Sequence, residues 1–353
     1  VKYLYLLLVF IPVVVIVEFL HGNTTLIFVS SALAIIPLAG ILGRATESLA
    51  HYMGQRLGGL LNATLGNAAE LIITIVALQA GLIDVVKASL TGSIIGNLLL
   101  VLGASLLAGG LKNGFQKFSM RTASVNASMM TVAIIGLVVP AAFHDAVAKH
   151  GDISVLELNI GIAVVLMAGY VLSLIFSFTA PSEGEAGTIE PGDEIVKGAE
   201  PHWSLRTALS VLFASVVGMA YLSETLVGSL EPTLKASGLS QAFVGVILIP
   251  IIGNAAEHAV AVQVALKNQM ELSLGVSMGS SMQIALFVAP LLVFISLLFG
   301  KPMTLDFEPL ELIALGLAVV IASLISLDGE SNWLEGALLL LVYVILGFGF
   351  FFV

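Results

Sequence analysis

Two pentapeptides of identical sequence, Gly66-Asn67-Ala68-Ala69-Glu70 and Gly253-Asn254-Ala255-Ala256-Glu257, carry the chemistry of this chain. Each sets a carboxylate well inside an apolar stretch. A charge at the centre of a membrane helix costs at least about 2.5–3.5 kcal/mol, and such residues face a partner or a water-filled cavity. Two carboxylates at equivalent positions of a duplicated segment would face each other, and a proton or a cation must then neutralise the pair. That competition for one site is the chemistry of an antiporter. The preceding Gly-Asn adds neutral oxygens, because glycine permits a broken helix with exposed carbonyls and asparagine brings an amide. Carboxylate, amide and carbonyl oxygens suit hard cations. Six to eight flexible oxygens point to Ca²⁺, whereas Mg²⁺ demands tighter octahedral geometry. Two glutamates balance one divalent charge.

Other polar residues accompany this pair. Ser93 and Asn97 follow the first motif by one span, and Ser280 and Gln283 follow the second. They are read as lining the site, with helix–helix hydrogen bonding as the plainer alternative. His258, next to Glu257 and replaced by Leu71 in the first repeat, is a candidate to tune or relay protons. Its plainer role is a packing hydrogen bond. Glu47 and Glu224 come late in their helices and are read as entrance residues at two opposite mouths; the alternatives are an ordinary interfacial carboxylate or, for Glu47, pairing with Arg44.

The elements that must hold these residues are membrane helices. Of 353 residues 58% are hydrophobic and 10% charged, with mean hydropathy +1.09, where soluble domains run near 25% charged. Stretches 19–43, 88–111, 122–143, 158–182, 236–256 and 272–300 carry no charge, and each is long enough to cross a bilayer. An all-α polytopic membrane protein is expected, with about eleven spans near 3–20, 25–50, 58–80, 86–108, 121–143, 155–179, 206–228, 240–266, 272–298, 306–327 and 334–353. The first stretch is read as a retained helix, since no small-residue cleavage site follows at Glu18–Asn23. The 35 glycines point to close helix packing. The absence of cysteine excludes disulfides and thiolate metal sites, and 13 basic against 23 acidic residues exclude a basic nucleic-acid surface.

The repeat extends beyond the pentapeptides. Residues 66–93 and 253–280 share 7 of 28 positions without a gap, closing on Gly92-Ser93 opposite Gly279-Ser280. Upstream, Ala45-Thr46-Glu47-Ser48-Leu49 resembles Leu222-Ser223-Glu224-Thr225-Leu226. The repeats start five spans apart, and an odd spacing inverts the second relative to the first, as in many secondary transporters. The expected domains are an N-terminal helix (1–24), a first five-helix repeat (25–180), a linker (181–204) and an inverted five-helix repeat (205–353). The linker holds six acidic residues and one lysine and is read as a solvated tether. Nine basic residues gather on one side of the membrane and four on the other, which predicts a cytoplasmic N-terminus and linker and an outside C-terminus.

These residues resemble the calcium/cation–proton exchanger (CAX) family of the calcium/cation antiporter superfamily. The match runs through Gly43-Arg44-Ala45-Thr46-Glu47, residues 58–72, Leu90 to Leu100, Gly253-Asn254-Ala255-Ala256-Glu257-His258, Gly279 to Ala285 and Asp328 to Gly336. The resemblance implies eleven helices, one before two inverted five-helix repeats. It implies Ca²⁺ bound by Glu70 and Glu257 in exchange for H⁺, with help from backbone carbonyls near Gly66 and Gly253. Helices carrying Glu47 and Glu224 would form a mobile gating pair, and family members are often trimeric, so a homotrimer is implied. No cofactor is implied, only Ca²⁺ as substrate and H⁺ as counter-ion. The short linker and the missing N-terminal extension point to a prokaryotic type in the plasma membrane. Competing readings are Na⁺ as counter-ion, Mn²⁺ as substrate, and, from another class, a passive cation channel. An intramembrane metalloenzyme is disfavoured, because metal hydrolases need about three convergent ligands and an open water position.

Overall fold

A computed structural model describes residues 2–149, 151–179 and 203–353. The acidic tether expected at 181–204 lies outside the described residues, apart from Trp203 and Ser204. Each of the eleven apolar stretches holds an apolar helix: α1 (Leu4–Phe19), α2 (Thr24–Gly54), α3 (Ala68–Ala80), α4 (Ile83–Asn113), α5 (Met120–Ala148), α6 (Ile153–Ser177), α7 (Leu205–Gly228), α8 (Gln241–Leu266), α9 (Met270–Leu298), α10 (Pro309–Ile325) and α11 (Trp333–Phe351). Eight of them are at least 18 residues long and apolar enough to cross a membrane; α1, α3 and α10 are shorter. In α5, α6, α7 and α11 only 22% of the apolar window is enclosed by protein. Their outer faces carry Val132, Ile135, Val165, Phe213, Val217, Ile345 and Phe348, all exposed. Apolar faces of this extent need hydrocarbon against them.

Helix starts follow the local chemistry. Asn23 accepts hydrogen bonds from Thr25 N (2.8 Å) and Leu26 N (3.3 Å) ahead of α2, and Ser119, Ser204 and Ser240 cap α5, α7 and α8 in the same way. The expected span 58–80 is not one helix. The chain turns at Gly54, whose φ of 76° and ψ of 173° only glycine adopts without strain. It then continues helically to Leu65, leaves the helix at Gly66–Asn67 and re-enters as α3.

Three π-helical segments interrupt the long helices: Gly96–Val101 in α4, Val244–Leu248 in α8 and Ile284–Val288 in α9. Each closes with a bond from five residues on, Leu102 N to Asn97 O, Ile249 N to Val244 O and Ala289 N to Ile284 O. The 187-residue offset between Gly66 and Gly253 carries Gly96–Val101 onto 283–288, almost on the third π segment. The repeat in sequence therefore has a counterpart in backbone geometry.

The chain forms two compact units. The first holds α1, α2, α3, α4 to Ser89, α7, a short helix Leu230–Ser237, α8 to Ala259, and the residues from Phe350. In it α2 packs along α1 and α7, and α3 lies against α2 and α7. One apolar core joins them through Phe28, Ile35, Leu38, Ile73, Met219, Leu222, Val244 and Ile252. The second unit holds the rest of α4 and α8 with α5, α6, α9, α10 and α11 to Gly349. Here α9 packs on the π segment of α4, and α6 on the π segment of α9.

At one end of the second unit, strands β1 (Gln116–Lys117) and β2 (Glu330–Ser331) pair antiparallel, with Lys117 Nζ 3.2 Å from Glu330 Oε1. The last carbonyls of α8 are capped there: Gln116 Nε2 donates to Ala265 O and Lys112 Nζ to Leu266 O, both at 3.0 Å. Close helix contact in this unit is set by Gly336, where a Cβ would stand 2.6 Å from the carbonyl oxygen of Gly103. We expect Gly336→Ala to destabilise the protein by about 1–3 kcal/mol, read as a lower unfolding temperature of the detergent-purified protein.

Candidate cation site

The two pentapeptides share a sequence and differ in backbone. In the first, Gly66 is still helical (φ −55°, ψ −46°) and Asn67 (φ −91°, ψ 22°) departs. Helix α3 then starts, with Leu71 N donating to Asn67 O at 2.9 Å. Glu70 therefore sits in the first turn of a helix, where the aligned peptide dipoles favour negative charge. In the second, α8 runs unbroken through Gly253 and Asn254, and Glu257 lies in its interior. Carbonyls are freed by a helix break at the first motif only.

A proline accounts for the irregularity ahead of the second motif. Pro250 removes the amide that would bond the Val246 carbonyl, and its ring crowds that carbonyl. The π segment Val244–Leu248 lies directly upstream and absorbs the misfit before the motif is reached. The first repeat has alanine at the equivalent position 63. Pro290 stands in the same relation to the π segment of α9. A proline two residues beyond an apolar run is thus a signal for these two π segments. Nothing comparable follows Gly96–Val101.

Asn67 and Glu70 are each 3% exposed and Asn254 2%, while Glu257 is half-buried. The hydroxyl of Thr74 donates to the Glu70 carbonyl at 2.8 Å, satisfying itself within the helix. The two motif helices meet in the first unit. A Cβ on Gly253 would lie 3.6 Å from Ile73 Cδ1, and one on Gly40 of α2 would lie 3.4 Å from Ala256 Cβ. Four touching helices of one unit, α2, α3, α7 and α8, thus carry Glu47, Glu70, Glu224 and Glu257. Glu47 is half-buried and Glu224 exposed. Arg44, an alternative partner for Glu47, stands over the Tyr5 ring, 5.2 Å from its centroid. His258 shares α8 with Glu257, and its buried Nε2 has no hydrogen-bond partner among the described residues.

Ser93, Asn97, Ser280 and Gln283 belong to the second unit. Ser93 and Ser280 are buried, and Asn97 lies buried in the π segment of α4, against which α9 with Ser280 and Gln283 packs. One buried carboxylate escaped the reading of the sequence: Glu311, 4% exposed in the first turn of α10. Its signal was an acid inside an apolar stretch. No group of three His, Cys, Asp or Glu that could hold a metal ion occurs among the described residues. A cation held here takes at most a pair of carboxylates, and its other ligands must be neutral oxygens or water.

The sodium/calcium exchanger protein family matches residues 23–179 and 207–352. The chain belongs to that family. The match falls in two blocks, with residues 180–206 between them. A Ca²⁺/H⁺ antiporter of Aphanothece halophytica is 47% identical over 355 residues, covering 98% of this chain and 95% of its own length. A Ca²⁺/H⁺ antiporter of a Synechocystis strain is 46% identical over 362 residues, with 99% and 97% covered. The crystal structure of the selenium-substituted Ca²⁺/H⁺ antiporter protein YfkE superposes with a TM-score of 0.85 at 40% identity and covers the whole of both chains. Within the exchangers, the chain is a member of the calcium/cation–proton (CAX) branch, as its motifs indicated.

Glycines on the exchanger's motif helix differ in how closely they are approached. A Cβ on Gly245 would come within 2.5 Å of the Ala88 Cβ, whereas one on Gly253 makes an ordinary contact. Gly245→Ala is therefore expected to destabilise the protein by about 1–3 kcal/mol. Gly253→Ala should leave stability within about 0.5 kcal/mol or raise it slightly. Thermal unfolding of the two purified variants checks this.

Proposed function

We propose that this protein is a secondary active antiporter that exchanges Ca²⁺ for H⁺ across a membrane by alternating access, and that it is not an enzyme. The observation that carries the reading is the duplicated Gly-Asn-Ala-Ala-Glu on two helices in contact, in a chain whose full-length relatives are named Ca²⁺/H⁺ antiporters. Glu70 and Glu257 bind either Ca²⁺ or protons. Gly66, Asn67, Gly253, Asn254, Ser93 and Ser280 contribute neutral oxygens, the two asparagines through their side-chain carbonyls. The break at Gly66–Asn67 supports main-chain ligation on that side. On the Gly253 side the continuous helix favours the Asn254 side chain over the backbone.

His258 tunes or relays protons beside Glu257, and Asn97 and Gln283 line the site. Glu47 and Glu224 guard two mouths on the gating helices α2 and α7, whose mutual packing in one unit supports their moving as a pair. Residues 25–180 and 205–353 are taken as the inverted repeats, after an N-terminal helix at 1–24. The shared π segments support the duplication. The positive-inside bias sets the N-terminus and the 181–204 tether in the cytoplasm and the C-terminus outside. Bacterial relatives favour a prokaryotic plasma membrane, and the family resemblance favours a homotrimer.

The test is ⁴⁵Ca²⁺ uptake into proteoliposomes driven by an imposed pH gradient. Uptake should vanish with a proton ionophore and fall at least tenfold in Glu70→Gln and in Glu257→Gln. Uptake that ignores the gradient and needs internal Na⁺ would keep the site and replace the counter-ion. Uptake that needs neither and shows no counter-transport would mean a channel. Calcium affinity should also weaken as pH falls, about tenfold per unit for each proton displaced while the pair is protonated. Equilibrium ⁴⁵Ca²⁺ binding between pH 5 and 8 measures this.

A further inference from the structure

Serine and threonine hydroxyls inside a helix ordinarily satisfy themselves on the carbonyl four residues back. In the first unit Thr46, Ser48, Thr74, Thr225 and Ser229 do so, at 2.8–3.1 Å. Five others in that unit do not. Ser30, Ser31, Ser89, Ser223 and Thr233 are buried, and none of their hydroxyl oxygens has a hydrogen-bond partner among the described residues. A buried hydroxyl without a partner has given up its water for nothing in return, so five in one unit call for an explanation.

Their placement supplies one. Ser30 and Ser31 lie about 9–10 Å into α2, Ser89 about 9 Å into α4, and Ser223 about 7.5 Å before the end of α7. Thr233 follows on the short helix Leu230–Ser237, which packs on α2. Tyr221 Oη donates to Glu18 Oε2 at 2.5 Å, which fixes the end of α7 beside the junction of α1 and α2. The hydroxyls therefore gather toward one membrane face of the unit, the face where α1 ends. The apolar residues beside them, Phe28, Ala32, Val85, Leu222 and Leu234, belong to the same core as Ala69 and Ile73, which flank Glu70.

We propose that Ser30, Ser31, Ser89, Ser223 and Thr233 form a water-bearing proton path between Glu70 and the face of the membrane at which α1 ends. The proposal rests on the Ca²⁺/H⁺ reading above, whose orientation makes this face external. A hydroxyl is both donor and acceptor. It takes a proton on a lone pair from one neighbouring water and gives up its own to the next, so its charge and bonding are unchanged after each transfer. The proton that leaves the Glu70 carboxyl ends in bulk water, and nothing is oxidised or reduced. Dehydrated Ca²⁺ takes six to eight oxygens. Single hydroxyls on separate helices, set among Phe, Leu, Val and Ala, offer a small fraction of that set. They suit water and protons and do not form stations for the metal.

The test uses full-length protein in proteoliposomes, with Ca²⁺-driven proton movement followed by an entrapped pH dye and ⁴⁵Ca²⁺ binding measured separately. Ser30→Ala/Ser31→Ala, and separately Ser223→Ala, should slow exchange at saturating Ca²⁺ at least fivefold and leave Ca²⁺ affinity within twofold. Neither should lower the unfolding temperature appreciably, since neither removes a hydroxyl bonded to another described residue. Ser30→Thr/Ser31→Thr should restore the rate, and D₂O should slow the alanine variants more than wild type. Wild-type exchange in both alanine variants overturns the path. Loss of Ca²⁺ binding also overturns it and makes these hydroxyls part of the cation's own route. Wild-type protein that moves Ca²⁺ without protons fails the antiport reading itself, before any variant is compared.

Discussion

A carboxylate in the apolar middle of a helical membrane protein is tolerated only if its charge is met at every stage of the working cycle. Much else in this chain follows from that constraint. Glu70 lies in the first turn of α3 because the chain breaks at Gly66–Asn67, and the break supplies both helix-dipole compensation and backbone oxygens to one position. The surrounding helices meet through alanine and glycine, at Gly40 against Ala256 and Gly245 against Ala88. Some of the unit's hydroxyls are tied back to their own helices, among them Thr46 and Thr74.

The second motif meets the same constraint by another route. Its helix stays intact, and the irregularity moves upstream to a π segment ahead of Pro250. Identical pentapeptides thus present unlike surroundings: a buried glutamate at a helix start, and a half-buried glutamate inside a helix beside a histidine. An exchange site built on a duplicated motif need not be symmetric in its ligands. In the proposed site the main-chain oxygens then belong to the Glu70 side, and the Glu257 side has an imidazole next to it in the chain.

Hydropathy made the spans legible because the bilayer is a uniform solvent, and each of the eleven apolar runs became an apolar helix. The two carboxylates stood out because acids are costly there and this one recurs in an identical setting. The path of the backbone inside a span was not legible in the same way. The run 58–80 reads as one apolar stretch, yet it contains a break, because hydropathy records what surrounds a residue and is blind to φ and ψ. The π segments were hidden for the same reason, although Pro250 and Pro290 marked two of them. Glu311 was passed over because it has no counterpart in the other repeat, and recurrence was the criterion that found Glu70 and Glu257. The unpaired serines carry no sequence mark at all, since Ser30 and Ser48 differ only in what the fold places beside them.

Charge balance ties the proposed chemistry to the proposed motion. A pair of carboxylates carries two negative charges, and either one Ca²⁺ or two protons cancels them. Both loaded forms are then neutral overall and carry no net charge through the low-dielectric interior. The empty pair keeps its full charge, which burial penalises heavily. If the gating helices close only over a neutral site, the carrier cannot return empty, and movement of Ca²⁺ one way obliges movement of protons the other. No group of three acidic or imidazole side chains that could hold a metal ion occurs among the described residues. A third carboxylate would leave a charge that neither one Ca²⁺ nor two protons cancels. On this reading the count of two, and not the identity of any single ligand, is what makes exchange obligatory.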